Sequence, residues 1–190
     1  MAPRMTTFTG RVVNPLDLKP NDIVILDIAH HTATLNRFLG ALKRPVSIAQ
    51  HQVYVSRLLD GTGWEREGLF HDAIEAYLGD MLKWLKCEPE MKAYRDAEER
   101  GWLVACDALN LNPDGCPERC PEVEWADRLM VRYEAFREAN NSDMFERPNY
   151  PKPSEDEIKK VGKWAPWSWR AAERGFLDHA RLLGYTVRPS

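Results

Sequence analysis

The sequence predicts an all-α helical bundle preceded by a small β-ribbon. Apolar residues recur at helical spacing through most of the chain, Gly- and Pro-containing breaks divide those stretches, and β-prone runs are confined to residues 1–26. At 190 residues, 44% of them hydrophobic, the chain fits one domain with a sizeable core. Phe8 to Asn14 and Asp22 to Leu26 are the expected strands of the ribbon, joined by a Pro-containing turn. Helical patterns follow near residues 28–42, 47–60, 65–76, 89–107 and 122–140, giving a helical core over 27–140. A C-terminal part, 141–190, ends in a helical pattern near 168–184.

Local signals set the element boundaries. Ser47-Ile48-Ala49-Gln50 reads as a capping box, Ser at N-cap and Gln at N3, ahead of Val53, Val55, Leu58 and Leu59. Gly61-Thr62-Gly63 and Asn110 to Pro121 are breaks. Val123, Ala126, Leu129, Met130, Tyr133 and Phe136 form one apolar stripe. Pro148 to Pro153 marks a loop before the charged helical stretch Glu155 to Gly162. The indoles of Trp164, Trp167 and Trp169 are expected to pack the last helix onto the bundle rather than to stack on a nucleotide. No internal repeat is visible.

Composition narrows the function classes. A net charge of −3 argues against a general binder of duplex nucleic acid. No apolar run approaches the roughly 18 residues of a membrane span, and Met1 to Gly10 lacks the apolar core of a signal peptide, so a cytoplasmic protein without a membrane partner is expected. Of the four cysteines, Cys116 and Cys120 could hold zinc with Cys106. The spacing lacks paired Cys-x-x-Cys grammar, however, and reduced thiols are the default, with no role for Cys87.

The chemistry-bearing residues centre on His71-Asp72, with His51 upstream and Asp127 downstream. Adjacent residues on a helix point about 100° apart, so both can reach one ion only if other elements supply further ligands. Asp127 interrupts an apolar stripe; it either sits at that stripe's edge, pairs with Arg128 or Arg132, or binds a cation. Two imidazoles and two carboxylates suit one divalent transition metal, Mn²⁺, Co²⁺, Fe²⁺ or Zn²⁺. Glu75 lies one helical turn after His71, placed for proton transfer or, alternatively, for a solvated pair with a lysine. Arg37 offers a planar fork to phosphate, with Lys83 or Lys86 as a second cation. Phe38 either walls off a nucleoside or joins a core stripe with Leu35, Leu39 and Leu42. Asp80 after Gly79 is a candidate cap for the next turn. His179 reads as structural or exposed, and His30 and His31 stay open.

The set His51, His71-Asp72 and Asp127 resembles the HD-domain phosphohydrolase superfamily, whose pattern is His, His-Asp, Asp on helices. The segment His71-Asp72-Ala73-Ile74-Glu75-Ala76-Tyr77-Leu78-Gly79-Asp80, the pair Arg37-Phe38, and the stretch from Thr9-Gly10-Arg11 to Asp27-Ile28-Ala29-His30 extend the resemblance. They point to the branch holding bacterial 5'-deoxynucleotidases and phage dATP triphosphohydrolases, over roughly residues 8–130. Two departures are visible: Phe38 where the deoxynucleotidases have Trp, and no prolines between Asp80 and Lys86. The resemblance implies an HD-domain bundle, a metal held by His51, His71, Asp72 and Asp127, and Glu75 orienting or deprotonating the attacking water. It also implies Asp80 on a sugar 3'-hydroxyl, Lys86 in the place of the family lysine, and a homo-oligomer of two or more copies. The expected activity is metal-dependent hydrolysis of a (deoxy)nucleotide, as a dNTP triphosphohydrolase or a 5'-deoxynucleotidase, in the cytoplasm or, if phage-encoded, that of the host. Lys83, Lys86 or Arg11 near the metal would favour a triphosphate. The rivals are a non-catalytic HD-fold nucleotide sensor and a metal-free helical interaction protein.

Overall fold

The computed structural model describes residues 4–111 and 120–187. Its helices are α1 Ile25–Thr34, α2 Ile48–Leu58, α3 Glu65–Phe70, α4 Glu75–Leu78, α5 Lys83–Lys86, α6 Lys92–Leu109, α7 Pro121–Glu138, α8 Glu155–Val161 and α9 Trp169–Leu182. The expected mainly helical class holds, as does the presence of a two-stranded antiparallel ribbon, β1 Met5–Thr6 and β2 Val12–Val13, with Met5 opposite Val13.

The ribbon differs in its membership. Asp22 to Leu26, expected as a strand, is instead the end of a 3₁₀ turn and the start of α1. Its backbone finds no ladder: the Tyr77 hydroxyl donates to Asp22 O at 2.9 Å and accepts the Val24 N–H at 3.3 Å. The helix that follows buries Ile28, Ala29, Thr32 and Ala33, and that packing overrides the β preference of Ile23-Val24-Ile25. The helix expected over 28–42 ends at Thr34. Beyond it Phe38, Leu39 and Gly40 all have positive φ, 56°, 53° and 76°. Two consecutive side-chain-bearing residues in that region cost about 1–3 kcal/mol each, so the surroundings must hold them. They do: Arg37 N–H donates to Val46 O and Lys43 N–H to Glu138 O.

α2 is the central element, buried along almost its whole length and packed against α1, α3, α7, α8 and α9. Ser47 caps it by accepting the Gln50 N–H, as the capping box requires. Gln50 does not return the bond; its side chain holds the Trp-rich segment through Ala165 O and the Trp167 N–H. Trp164 and Trp167 pack on Tyr54, as expected of indoles that fasten the C-terminal part to the bundle. On the other side α3 approaches closely at Gly68, where an added Cβ would lie 2.7 Å from Leu59 Cδ1. Phe136, placed on the apolar stripe by its spacing, is 69% exposed, whereas Val123, Ala126, Leu129, Met130 and Tyr133 are buried. No helix among the described residues is long and apolar enough to cross a membrane.

Candidate metal centre and its cleft

Four segments converge beside α2. Close packing at Gly68 brings the end of α3 against α2, so the His51 and His71 rings lie 5.2 Å apart. Residues 65–76, expected as one helix, are two: α3 ends at Phe70, α4 begins at Glu75, and tight turns such as Ala73 N–H to Phe70 O fill the gap. Glu75 therefore starts a new helix instead of riding one turn above His71. α7 contributes Asp127, and the strained loop after α1 contributes Arg37.

His51, His71 and Asp127 each offer an atom within 4.8 Å of the others. His51 Nε2 is 3.0 Å from Asp127 Oδ1, and His71 Nε2 is 3.8 Å from the same oxygen. Asp72 stands beside this triad rather than within it. Its Oδ2 lies 3.1 Å from His71 Nε2, but the carboxylate is shared with the Arg37 guanidinium, 3.5 Å away. Neither arginine offered as a partner for Asp127 takes that role, since Arg128 pairs with Glu124 and Arg132 donates to Tyr150 O.

His71 supplies the test of whether a cation fits. Its Nδ1 donates to Gly68 O at 2.8 Å, so in the neutral ring Nε2 carries a lone pair. That atom is buried without a hydrogen-bond partner and faces carboxylate oxygens of Asp72 and Asp127. The imidazole nitrogens and carboxylate oxygens that converge there form a mixed N/O set that suits a divalent transition ion, which would take the place of the proton between His51 and Asp127. Burial opposes the charge on Asp127, yet the His51 hydrogen bond and both imidazoles hold its carboxyl well below the usual range. Burial and the Arg37 charge work against a proton on His51, but Glu134 and Asp127 push its pKa up to about 9.

The triad opens through Asp127 and Asp72 into a cleft of about 450 Å³, along which Arg37, Phe38, Glu75, Asp80, Lys83 and Lys86 are all placed. Every substrate-side residue expected from sequence therefore shares one cavity with the carboxylates. Glu75 is buried, not solvated; Lys86 Nζ lies 3.5 Å from its Oε1, while Oε2 has no hydrogen-bond partner. Burial, then the charges of Asp72 and Asp80, raise its pKa well above the ordinary value. Lys86 is also bound to Glu98 at 2.6 Å, and the two acids keep it protonated despite burial. Asp80 is raised mainly by burial, and it does not cap the next helix, whose N-cap is Leu82. Phe38 joins no stripe with Leu39, which is exposed; its ring meets Phe145 edge-on at 5.6 Å. Lys83 is exposed at the cleft rim. Arg11 is absent from the cleft and binds Asn21 O near the ribbon.

The other histidines and thiols have separate roles. His31 Nδ1 donates to Ala76 O and its Nε2 accepts the Phe8 N–H, His30 pairs with Glu173, and His179 pairs with Ser56. Cys87, Cys106 and Cys120 are free thiols, Cys120 Sγ accepting the Val123 N–H at the start of α7; the zinc site proposed through Cys116 falls outside the described residues. Sequence reading missed Glu134, which is fully buried with one carboxylate oxygen 2.9 Å from His51 Nδ1 and the other 2.9 Å from Arg37 Nε. Its signal was the seven-residue step from Asp127 on one helix, which returns to the same face after two turns. The aromatic wall of Trp84, Phe145 and Tyr150 was also missed, because α6 and α7 lie between Trp84 and the other two in sequence.

No protein-family model matches the sequence. An uncharacterized protein of Rhodobacter capsulatus is 32% identical over 159 residues, covering 74% of this chain and 78% of that protein. The uncharacterized protein YfdR of Escherichia coli is 34% identical over 128 residues, covering 67% of this chain and 68% of its own length.

Proposed function

As the chain belongs to the family of YfdR and the Rhodobacter capsulatus protein, both uncharacterized, its function has to be read from its own site, and we propose a metal-dependent phosphohydrolase acting on small (deoxy)nucleotides. The observation that carries this reading is the buried His71 Nε2, its lone pair set against two carboxylates beside a cleft that also holds a buried glutamate and an arginine. His51, His71 and Asp127, with Asp72, would hold the ion. When bound, it would polarise a phosphoryl oxygen and lower the pKa of water.

The remaining roles belong to the chain. Arg37 binds phosphate through Nη2, since Nε is committed to Glu134 and Nη1 is directed to Asp72. Glu75 accepts the water proton on Oε2, its raised pKa making it a stronger base than an exposed glutamate. Lys86 compensates the charge on Glu75, and Lys83 at the rim meets phosphate further from the metal. Asp80 and Phe38 line the part of the cleft where sugar and base would lie, with Asp80 on a sugar hydroxyl. The HD-domain likeness supports the same assignment and adds an assembly of two or more copies, which light scattering measures.

The test incubates the protein with Mn²⁺ or Co²⁺ and a panel of deoxy- and ribonucleoside mono- and triphosphates, with Asp72→Ala and Glu75→Ala as controls. Nucleoside plus phosphate from monophosphates identifies a nucleotidase; nucleoside plus triphosphate identifies a triphosphohydrolase. Nucleotide binding without metal-dependent turnover of any of them would replace this reading with the sensor.

A further inference from the structure

We propose that Glu134 is a positioning residue that fixes the His51 tautomer for metal binding while sharing its carboxylate with Arg37, so that one side chain holds both the metal centre and the guanidinium of the cleft. The inference rests on the metal centre of the proposed function but not on the nucleotide substrate. Glu134 and His51 are fully buried, and each Glu134 oxygen has its own donor, His51 Nδ1 at 2.9 Å and Arg37 Nε at 2.9 Å. A carboxylate only accepts, so both nitrogens must donate. His51 Nε2 points to the place where Asp127 and His71 converge, 3.0 Å from Asp127 Oδ1, so an ion held there would take the place of the Nε2 proton while Glu134 keeps the proton on Nδ1. The same carboxylate anchors Arg37 by Nε, leaving Nη1 directed to Asp72.

An amide of the same shape cannot serve both donors. Glutamine offers one oxygen and one NH₂ group. If the oxygen faces His51, the NH₂ confronts Arg37 Nε–H, donor to donor. If the oxygen faces Arg37, the NH₂ confronts His51 Nδ1, which must then accept, and the ring keeps its proton on Nε2, the atom that an ion would need. The charge-assisted bond to Arg37 is the stronger of the two, so glutamine is expected to keep the arginine and give up the metal-competent tautomer. Removing Arg37 frees the glutamine oxygen to turn back to His51. The arrangement therefore predicts that an arginine substitution relieves a metal-binding defect caused by a glutamate substitution.

Calorimetric Mn²⁺ titration of the full chain tests this in wild type, Glu134→Gln, Arg37→Ala and the double variant, with circular dichroism to confirm folding and Arg37→Met replacing Arg37→Ala if the latter does not fold. Glu134→Gln is expected to weaken Mn²⁺ binding by about 10–100-fold in the wild-type background but by no more than about threefold in the Arg37-substituted background. A folded Glu134→Gln chain that binds Mn²⁺ within about twofold of wild type would overturn the proposal, as would an equal loss in both backgrounds. Turnover is not a readout, so failure of the nucleotide assay leaves the test intact. A wild-type chain that binds no Mn²⁺ would instead remove the metal reading beneath both.

Discussion

One histidine and carboxylate cluster fastens the ribbon and another lines the cleft, and their contrast shows what separates a structural cluster from a metal centre. At the N-terminal side, Asp27 accepts the Thr9 N–H at 2.7 Å and the Thr9 hydroxyl at 2.8 Å, while His31 donates to Ala76 O and accepts from Phe8. Every donor there meets an acceptor, and the cluster fastens the ribbon to α1 and the start of α4. In the cleft, His71 commits Nδ1 to Gly68 O and turns Nε2, buried without a hydrogen-bond partner, on carboxylates. Both clusters contain adjacent polar residues, a buried aspartate and a histidine pair, so residue type does not distinguish them. The balance of donors and acceptors does.

Substitutions on the two sides sharpen the contrast. The largest effect is expected for Asp72→Ala, which should lower metal-dependent turnover by on the order of 10³-fold, the rate equivalent of several kcal/mol of lost charge stabilisation; His31→Ala should leave turnover within about twofold. Glu75→Gln comes next, with kcat down by about 10²-fold and Mn²⁺ affinity unchanged in calorimetry. Mn²⁺ at about 100 times its Kd should stabilise the wild-type chain by about 2.7 kcal/mol in thermal or denaturant unfolding and give no shift in His71→Ala.

On the structural side, His31→Ala leaves the Phe8 N–H and Ala76 O without their partner and should cost about 1–3 kcal/mol in denaturant unfolding, with or without Mn²⁺. The smallest expected effect concerns His179, whose pKa is lowered by burial and then by Arg57. Its neutral form is the one the fold accommodates, so below pH about 6.5 the unfolded chain takes up more protons than the folded one. The stability that this residue contributes is therefore present above that pH and lost as pH falls through the folded-state value. His179→Gln should flatten the acid side of a stability-against-pH curve; an unchanged slope would contradict the burial argument.

Much of the helical frame was legible because apolar periodicity and caps are local signals. Ser47 caps α2 as its sequence demands, and α7 lies within two residues of its expected bounds. What the periodicity could not carry was tertiary. Ile23 to Leu26 looks like a strand, but packing against α9 and α2 makes the end of that run helical. The break at His71 to Ile74 is invisible to an apolar count, since both halves are buried, and it is what turns Asp72 and Glu75 toward the cleft. The site's residue types were readable from spacing and resemblance; their division of labour was not. Glu134 carries no motif, and only the fold shows that it answers His51 and Arg37 at once.

The most direct test of the central claim is Mn²⁺ binding by the wild-type, His71→Ala and His31→Ala chains, measured side by side by electron paramagnetic resonance and calorimetry. The account predicts about one tight ion per chain in wild type and His31→Ala, and loss of that ion in His71→Ala. Equal Mn²⁺ binding by all three chains, or none by the wild type, would contradict it.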